Sequence, residues 1–106
     1  MSKITLNYEK KDYVLEYNRQ SVRAIESQGF VLDEITTKPM TMIPLLVSGA
    51  FMKNCKGTKR ATIDAIYDGI QDKGGFMNAL IEMYAETLSS LTDDNEEGNV
   101  TWTLTK

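Results

Sequence analysis

The sequence predicts an α+β domain, an N-terminal β-hairpin packed on a body of about four helices. Three observations carry this reading. Apolar and polar residues alternate from Ile4 to Tyr17, apolar residues recur at helical spacing from Arg19 onward, and capping and breaking residues punctuate that second stretch. A chain of 106 residues with 42% apolar and 25% charged content has room for one domain and one modest core. We place the domain at residues 1–91, followed by an acidic linker and a terminal segment at 92–106.

In the hairpin, Ile4, Leu6 and Tyr8 alternate with Lys3, Thr5 and Asn7, and Tyr13, Leu15 and Tyr17 alternate with Asp12, Val14 and Glu16. This period of two gives each strand one apolar face. Glu9-Lys10-Lys11 forms the polar turn, without the Asn-Gly signal of a tight two-residue loop. Two strands alone are marginally stable, so their apolar face requires a second layer.

A first helix is expected from Arg19 to Gln28, with Asn18 as N-cap, Gly29 as a left-handed C-terminal cap, and Val22 and Ile25 facing inward. Phe30 to Ile35 reads as an extended or turn-like link. Pro39 suits a first helical position after Thr37, but Pro44 complicates the start. Either a helix begins near Thr41 with Pro44 in its first turn, or a longer helix is kinked. We take the former, with the helix ending near Lys53 or Asn54. Its Met42, Ile43, Leu45, Leu46, Val47, Ala50, Phe51 and Met52 leave little polar face, as in a helix that is central or awaits a partner.

Thr58 is placed to cap a third helix from Lys59 to Gln71, with Ile63, Ile66, Tyr67 and Ile70 at helical spacing. Asp72-Lys73-Gly74-Gly75 breaks it. A fourth helix from Phe76 to Leu91 aligns Phe76, Leu80, Met83, Tyr84 and Leu88. After the acidic stretch Thr92 to Asn99, Val100, Trp102 and Leu104 alternate with threonines. That segment is either a third strand returning to the hairpin, the reading we prefer, or a loose tail.

The composition excludes much chemistry. Without any histidine there is no His-based triad, imidazole base or His-ligated metal, and a single cysteine, Cys55, makes neither an internal disulfide nor a zinc site. Asp64, Asp68 and Asp72 share one helical strip but lack a calcium-loop pattern. Gly74-Gly75 is not followed by the Lys-Ser/Thr of a phosphate loop. We therefore expect no catalytic residues, no metal and no cofactor.

The net charge is −3, and it is unevenly laid out: Met1 to Arg60 sums to +4 and Asp64 to Glu97 to −8. Such halves suit intramolecular pairing or head-to-tail self-association, which leaves a homo-oligomer open. The cluster Lys53, Lys56, Lys59 and Arg60 has no interleaved aromatics, so nucleic acid is not expected. The longest nearly uncharged run, Pro39 to Met52, is too short for a membrane span, and the first residues lack a signal-peptide pattern. We read the chain as soluble and unexported.

The positive feature is apolar. Met40, Met42, Met52, Met77 and Met83 are many methionines for this length, and methionine suits surfaces that accept varied apolar partners.

Several blocks resemble a known family. Leu15-Glu16-Tyr17-Asn18-Arg19-Gln20-Ser21-Val22 with Glu26-Ser27-Gln28-Gly29-Phe30 resembles its opening. Lys38-Pro39-Met40-Thr41-Met42, followed by Leu45-Leu46 and Gly49-Ala50-Phe51, resembles its central block. Leu80-Ile81-Glu82-Met83-Tyr84-Ala85-Glu86 is similar to its last helix. The family is the phage tail assembly chaperones of long-tailed bacteriophages, and the likeness spans Leu15 to Leu91.

The resemblance implies a non-enzymatic role in the bacterial host cytoplasm. Such a protein would bind apolar helical segments of the tape measure protein and help recruit tail-tube subunits. Helical segments dock by laying an apolar stripe in a groove. We expect Met40, Met42, Leu46, Phe51 and Met52 to line that groove, with Met83 behind or beside them. The alternative is a structural virion component, such as a minor tail or head–tail connector subunit, whose hairpin and terminal strand join neighbours edge to edge.

Overall fold

The computed structural model describes residues 2–92 and 98–106. Strands β1 (Ile4–Tyr8) and β2 (Lys11–Leu15) form an antiparallel hairpin, followed by helices α1 (Arg19–Ser27), α2 (Pro39–Phe51), α3 (Arg60–Asp68) and α4 (Lys73–Ser89). A single 3-10 turn at Leu32–Glu34 links α1 to α2. The α+β reading holds.

The hairpin pairs Ile4 with Leu15, Leu6 with Tyr13 and Tyr8 with Lys11. Glu9 (φ 51°) and Lys10 (φ 67°) alone form the turn, both left-handed. The tight two-residue loop thus forms without the Asn-Gly pair that favours it. Burial decides the matter: slipping the register by one residue would turn Tyr13 and Leu15, both in the core, toward solvent.

The start of α1 carries the expected cap. The Asn18 side chain accepts from the Ser21 N–H at 2.7 Å, and the Asn18 N–H donates to Ser21 Oγ at 2.9 Å. Gly29 (φ 102°) ends the helix in the left-handed region.

Helix α2 departs from expectation at its start. It begins at Pro39, so Pro44 is interior rather than in the first turn. Proline removes one helical hydrogen bond, the one otherwise donated to the Met40 carbonyl. That carbonyl belongs to a residue 89% exposed, where water replaces the lost donor, and the helix continues. Downstream α2 is the centre of the domain, packed against α1, α3, α4 and β2. Gly49 permits the closest approach: a Cβ there would stand 2.9 Å from Ile25 Cγ2 and 3.4 Å from Tyr17 Cε1.

Two further boundaries shift. The Thr58 hydroxyl donates to the Cys55 carbonyl at 2.7 Å, so Lys59 is the N-cap of α3, without a side-chain cap. Helix α4 starts at Lys73, so Gly74 and Gly75 lie in its first turn rather than breaking the chain. Asp72, in the left-handed region, caps it by accepting from the Gly75 N–H at 3.2 Å. A Cβ at Gly75 would push that carboxylate aside and disturb the cap.

The third strand is not formed. Residues 98–106 carry no regular structure, and Val100, Trp102 and Leu104 are exposed. The central acidic part of the linker, 93–97, lies outside the described residues. Among the described residues no helix is long and apolar enough to cross a membrane.

Candidate functional site

Two clefts flank α2. The first lies between the N-terminal half of α2 and α3. Met40, Ile43, Pro44 and Val47 face Tyr67 across a space of about 450 Å³, with Asp64 and Asp68 at its margin. Its lining follows from spacing, because positions 40, 43, 44 and 47 fall on one helical stripe. The early start of α2 is what brings Met40 onto this stripe.

The second cleft, about 540 Å³, opens where the end of α2 and the following loop meet the start of α1 and of α3. Phe51, Met52 and Ile63 supply apolar lining, and Lys53, Lys56 and Arg60 supply positive charge without a carboxylate among the lining residues. Lys53 is engaged: its Nζ lies 2.8 Å from Glu16 Oε2, and Asn54 Nδ2 donates to Glu16 Oε1 at 3.0 Å. The hydrogen bond from Lys53, reinforced by that from Asn54, holds the Glu16 carboxyl below its usual range. Lys56 and Arg60 form no ion pair among the described residues.

The six methionine and apolar positions expected to share one groove are dispersed. Met42, Leu46, Phe51 and Met83 are buried in the core. Leu46 is fully enclosed, Phe51 stands edge-on to Tyr13 at 5.9 Å, and Met42 Sδ accepts the Val31 N–H at 3.3 Å. These side chains face the interior of the domain, and of them Phe51 also lines the basic cleft. Met40 lines the apolar cleft and half-buried Met52 the basic one.

Sequence reasoning missed Ile43, Pro44, Val47 and Tyr67 as groove lining. The signal lies in the helical spacing of the first three, but a helix apolar nearly all round does not single out one face as the groove. Among the described residues no ion pair joins the two charge halves: Lys38–Glu34 and Lys53–Glu16 both lie within the basic half, and Asp93, Asp94, Glu96 and Glu97 lie outside the described residues. Among the described residues no three His, Cys, Asp or Glu side chains converge in a metal-binding group.

The family described as Domain of unknown function (DUF5055) matches residues 1–105. The chain belongs to this family. No curated protein and no solved structure matches it. On its surface this DUF5055 domain presents the apolar cleft beside α2, with exposed Met40 among its lining.

Proposed function

We propose that this DUF5055 protein is a non-enzymatic phage tail assembly chaperone, acting in the bacterial host cytoplasm on apolar helical segments of the tape measure protein. The observation that carries the reading is the cleft lined by Met40, Ile43, Pro44, Val47 and Tyr67, with Met40 left 89% exposed. A helix docks by inserting side chains at i, i+3, i+4 and i+7 into such a groove. The flexible thioether of Met40 adapts to differing side chains along a long client. Asp64 and Asp68 at the margin suit a client stripe flanked by lysine or arginine. The resemblance of Leu15 to Leu91 to the tail assembly chaperones supports the same role.

The test is co-expression with a tape measure protein encoded by the same phage. The chain should raise the soluble fraction of the client, and Met40→Asp should abolish most of that gain while leaving the circular dichroism of the chain unchanged. Equal client solubility with and without the wild-type chain overturns the proposal.

The outer edge of β1, unpaired among the described residues, favours a second reading, a structural virion component such as a minor tail or connector subunit. Mass spectrometry of purified particles separates the two, because a stoichiometric presence in mature virions belongs to a structural part.

A further inference from the structure

The hairpin has one closed edge and one open edge. With Glu9 and Lys10 as a two-residue turn, Tyr8 and Lys11 are the closing hydrogen-bonded pair. Alternation from that pair aims the backbone groups of Leu6 and Ile4 at β2 and those of Asn7 and Thr5 outward. On the β2 side the same alternation sends Asp12, Val14 and Glu16 outward, and there the Glu16 N–H and the Val14 carbonyl have partners. The Glu16 N–H donates to the Ala50 carbonyl at 3.0 Å, and the Val14 carbonyl accepts from Asn54 Nδ2 and Cys55 Sγ, each at 3.5 Å. Among the described residues nothing bonds the outward main-chain groups of Thr5 and Asn7.

The same chain carries an unpaired segment of matching character. Val100, Trp102 and Leu104 alternate with Thr101, Thr103 and Thr105, and all three large residues are exposed, Trp102 to 85%. β-Branched and aromatic residues with this period are strand formers. Laid beside β1, the segment would place Val100, Trp102 and Leu104 on the face of Ile4, Leu6 and Tyr8, whose outer flanks remain half-exposed. Its threonines would then share the polar face of Thr5 and Asn7. Charge agrees: Lys3, Lys10 and Lys11 lie in or beside β1, and the sequence leading into the segment carries Asp93, Asp94, Glu96 and Glu97.

We infer that the Val100–Thr105 segment of one copy adds as a third strand to the open β1 edge of a second copy. Among the described residues of one protomer the segment and the edge stand unpaired, so a second copy offers each what it lacks. Donor segment and acceptor edge are different stretches of the chain, so the contact is either exchanged reciprocally in a closed dimer or passed from copy to copy. This inference goes beyond the chaperone reading and does not depend on a client.

The experiment is sedimentation velocity of the full chain across a concentration series, with the emission of Trp102, the only tryptophan, recorded in parallel. The wild type should pass from monomer to larger species as concentration rises, with a blue shift that tracks the mass. Trp102→Ser damages only the donor, outside the packed domain. Thr5→Pro removes an outward N–H at a strand edge, where proline is tolerated. Each variant alone should need about tenfold or more higher concentration to associate. An equimolar mixture should form one-to-one dimers, because one variant keeps its edge and the other its donor segment. A wild type that stays monomeric throughout overturns the inference, whether its emission is unshifted or blue-shifted independently of concentration. Association of Trp102→Ser equal to that of the wild type overturns it as well.

Discussion

The Tyr17 hydroxyl donates a buried hydrogen bond to the Leu46 carbonyl at 2.6 Å, tying the second residue past β2 to the middle of α2. Tyr17 is 1% exposed and its ring meets Tyr84 edge-on at 5.9 Å, so one side chain fixes the hairpin, α2 and α4 relative to one another. Burial, with the neighbouring Tyr84 phenol adding to it, raises the Tyr17 pKa, which keeps the donor protonated.

Tyr17→Phe should keep the fold and lower its stability by about 1 kcal/mol, the usual net worth of a neutral hydrogen bond. In a domain of this size that corresponds to a fall in Tm of roughly 4–8 °C. Thermal unfolding followed by far-ultraviolet circular dichroism measures it, and an unchanged Tm would show that the bond adds nothing.

Gly49→Ala sets two effects against each other. Alanine favours the helix by about 1 kcal/mol, whereas crowding a filled core costs about 1–3 kcal/mol. The added Cβ would meet Ile25 Cγ2 at 2.9 Å, and Ile25 is fully buried and stiff at its branch point. Crowding should win by about 1 kcal/mol, read as a lower urea midpoint. A raised midpoint would mean that α1 and α2 can move apart freely.

The turn at Glu9 and Lys10 is made by residues that disfavour its conformation. Lys10→Gly relieves a left-handed backbone at some cost in unfolded-state entropy, for a net gain of about 0.5–1 kcal/mol. Chemical denaturation checks the sign, and a loss of stability would contradict the hairpin geometry.

The Glu16–Lys53 pair gives an acid dependence. Because the folded-state pKa of Glu16 is lowered, its contribution is complete above the ordinary value of 4.5 and is lost as pH falls from there through the depressed value. Glu16→Gln should flatten that part of the stability–pH curve, measured by urea unfolding at successive pH values. A curve identical to that of the wild type would remove Glu16 from the account.

The hairpin, the capped start of α1 and the inward faces of α1 and α3 were legible because each follows from a local rule, alternation in Tyr13 and Leu15 or a side-chain cap at Asn18. The helix starts were less so. Pro44 reads as a boundary by its own preference, yet the burial of the long apolar stripe behind it outweighs one missing hydrogen bond. Gly74-Gly75 reads as a breaker until Asp72 is seen to cap the helix they begin. The site suffered from the same cause. An apolar run such as Met42 to Met52 tells that a helix is enclosed, but not which of its faces the other helices cover. Only the packing of α1, α3 and α4 separates Met40, left at the surface, from Met42, bonded into the core.

The lone thiol occupies the seam that closes the outer edge of β2. Cys55 is half-buried there, and its Sγ–H donates to the Val14 carbonyl beside the Asn54 amide. These 3.5 Å bonds are the weaker end of a seam that the Glu16–Ala50 and Glu16–Lys53 contacts also hold, so the thiol end is the part suited to open locally before the whole unfolds. Because Cys55 is half-buried and also lines the basic cleft, its alkylation rate relative to the unfolded chain reports how far that seam screens the thiol, a local quantity that global melting experiments average away.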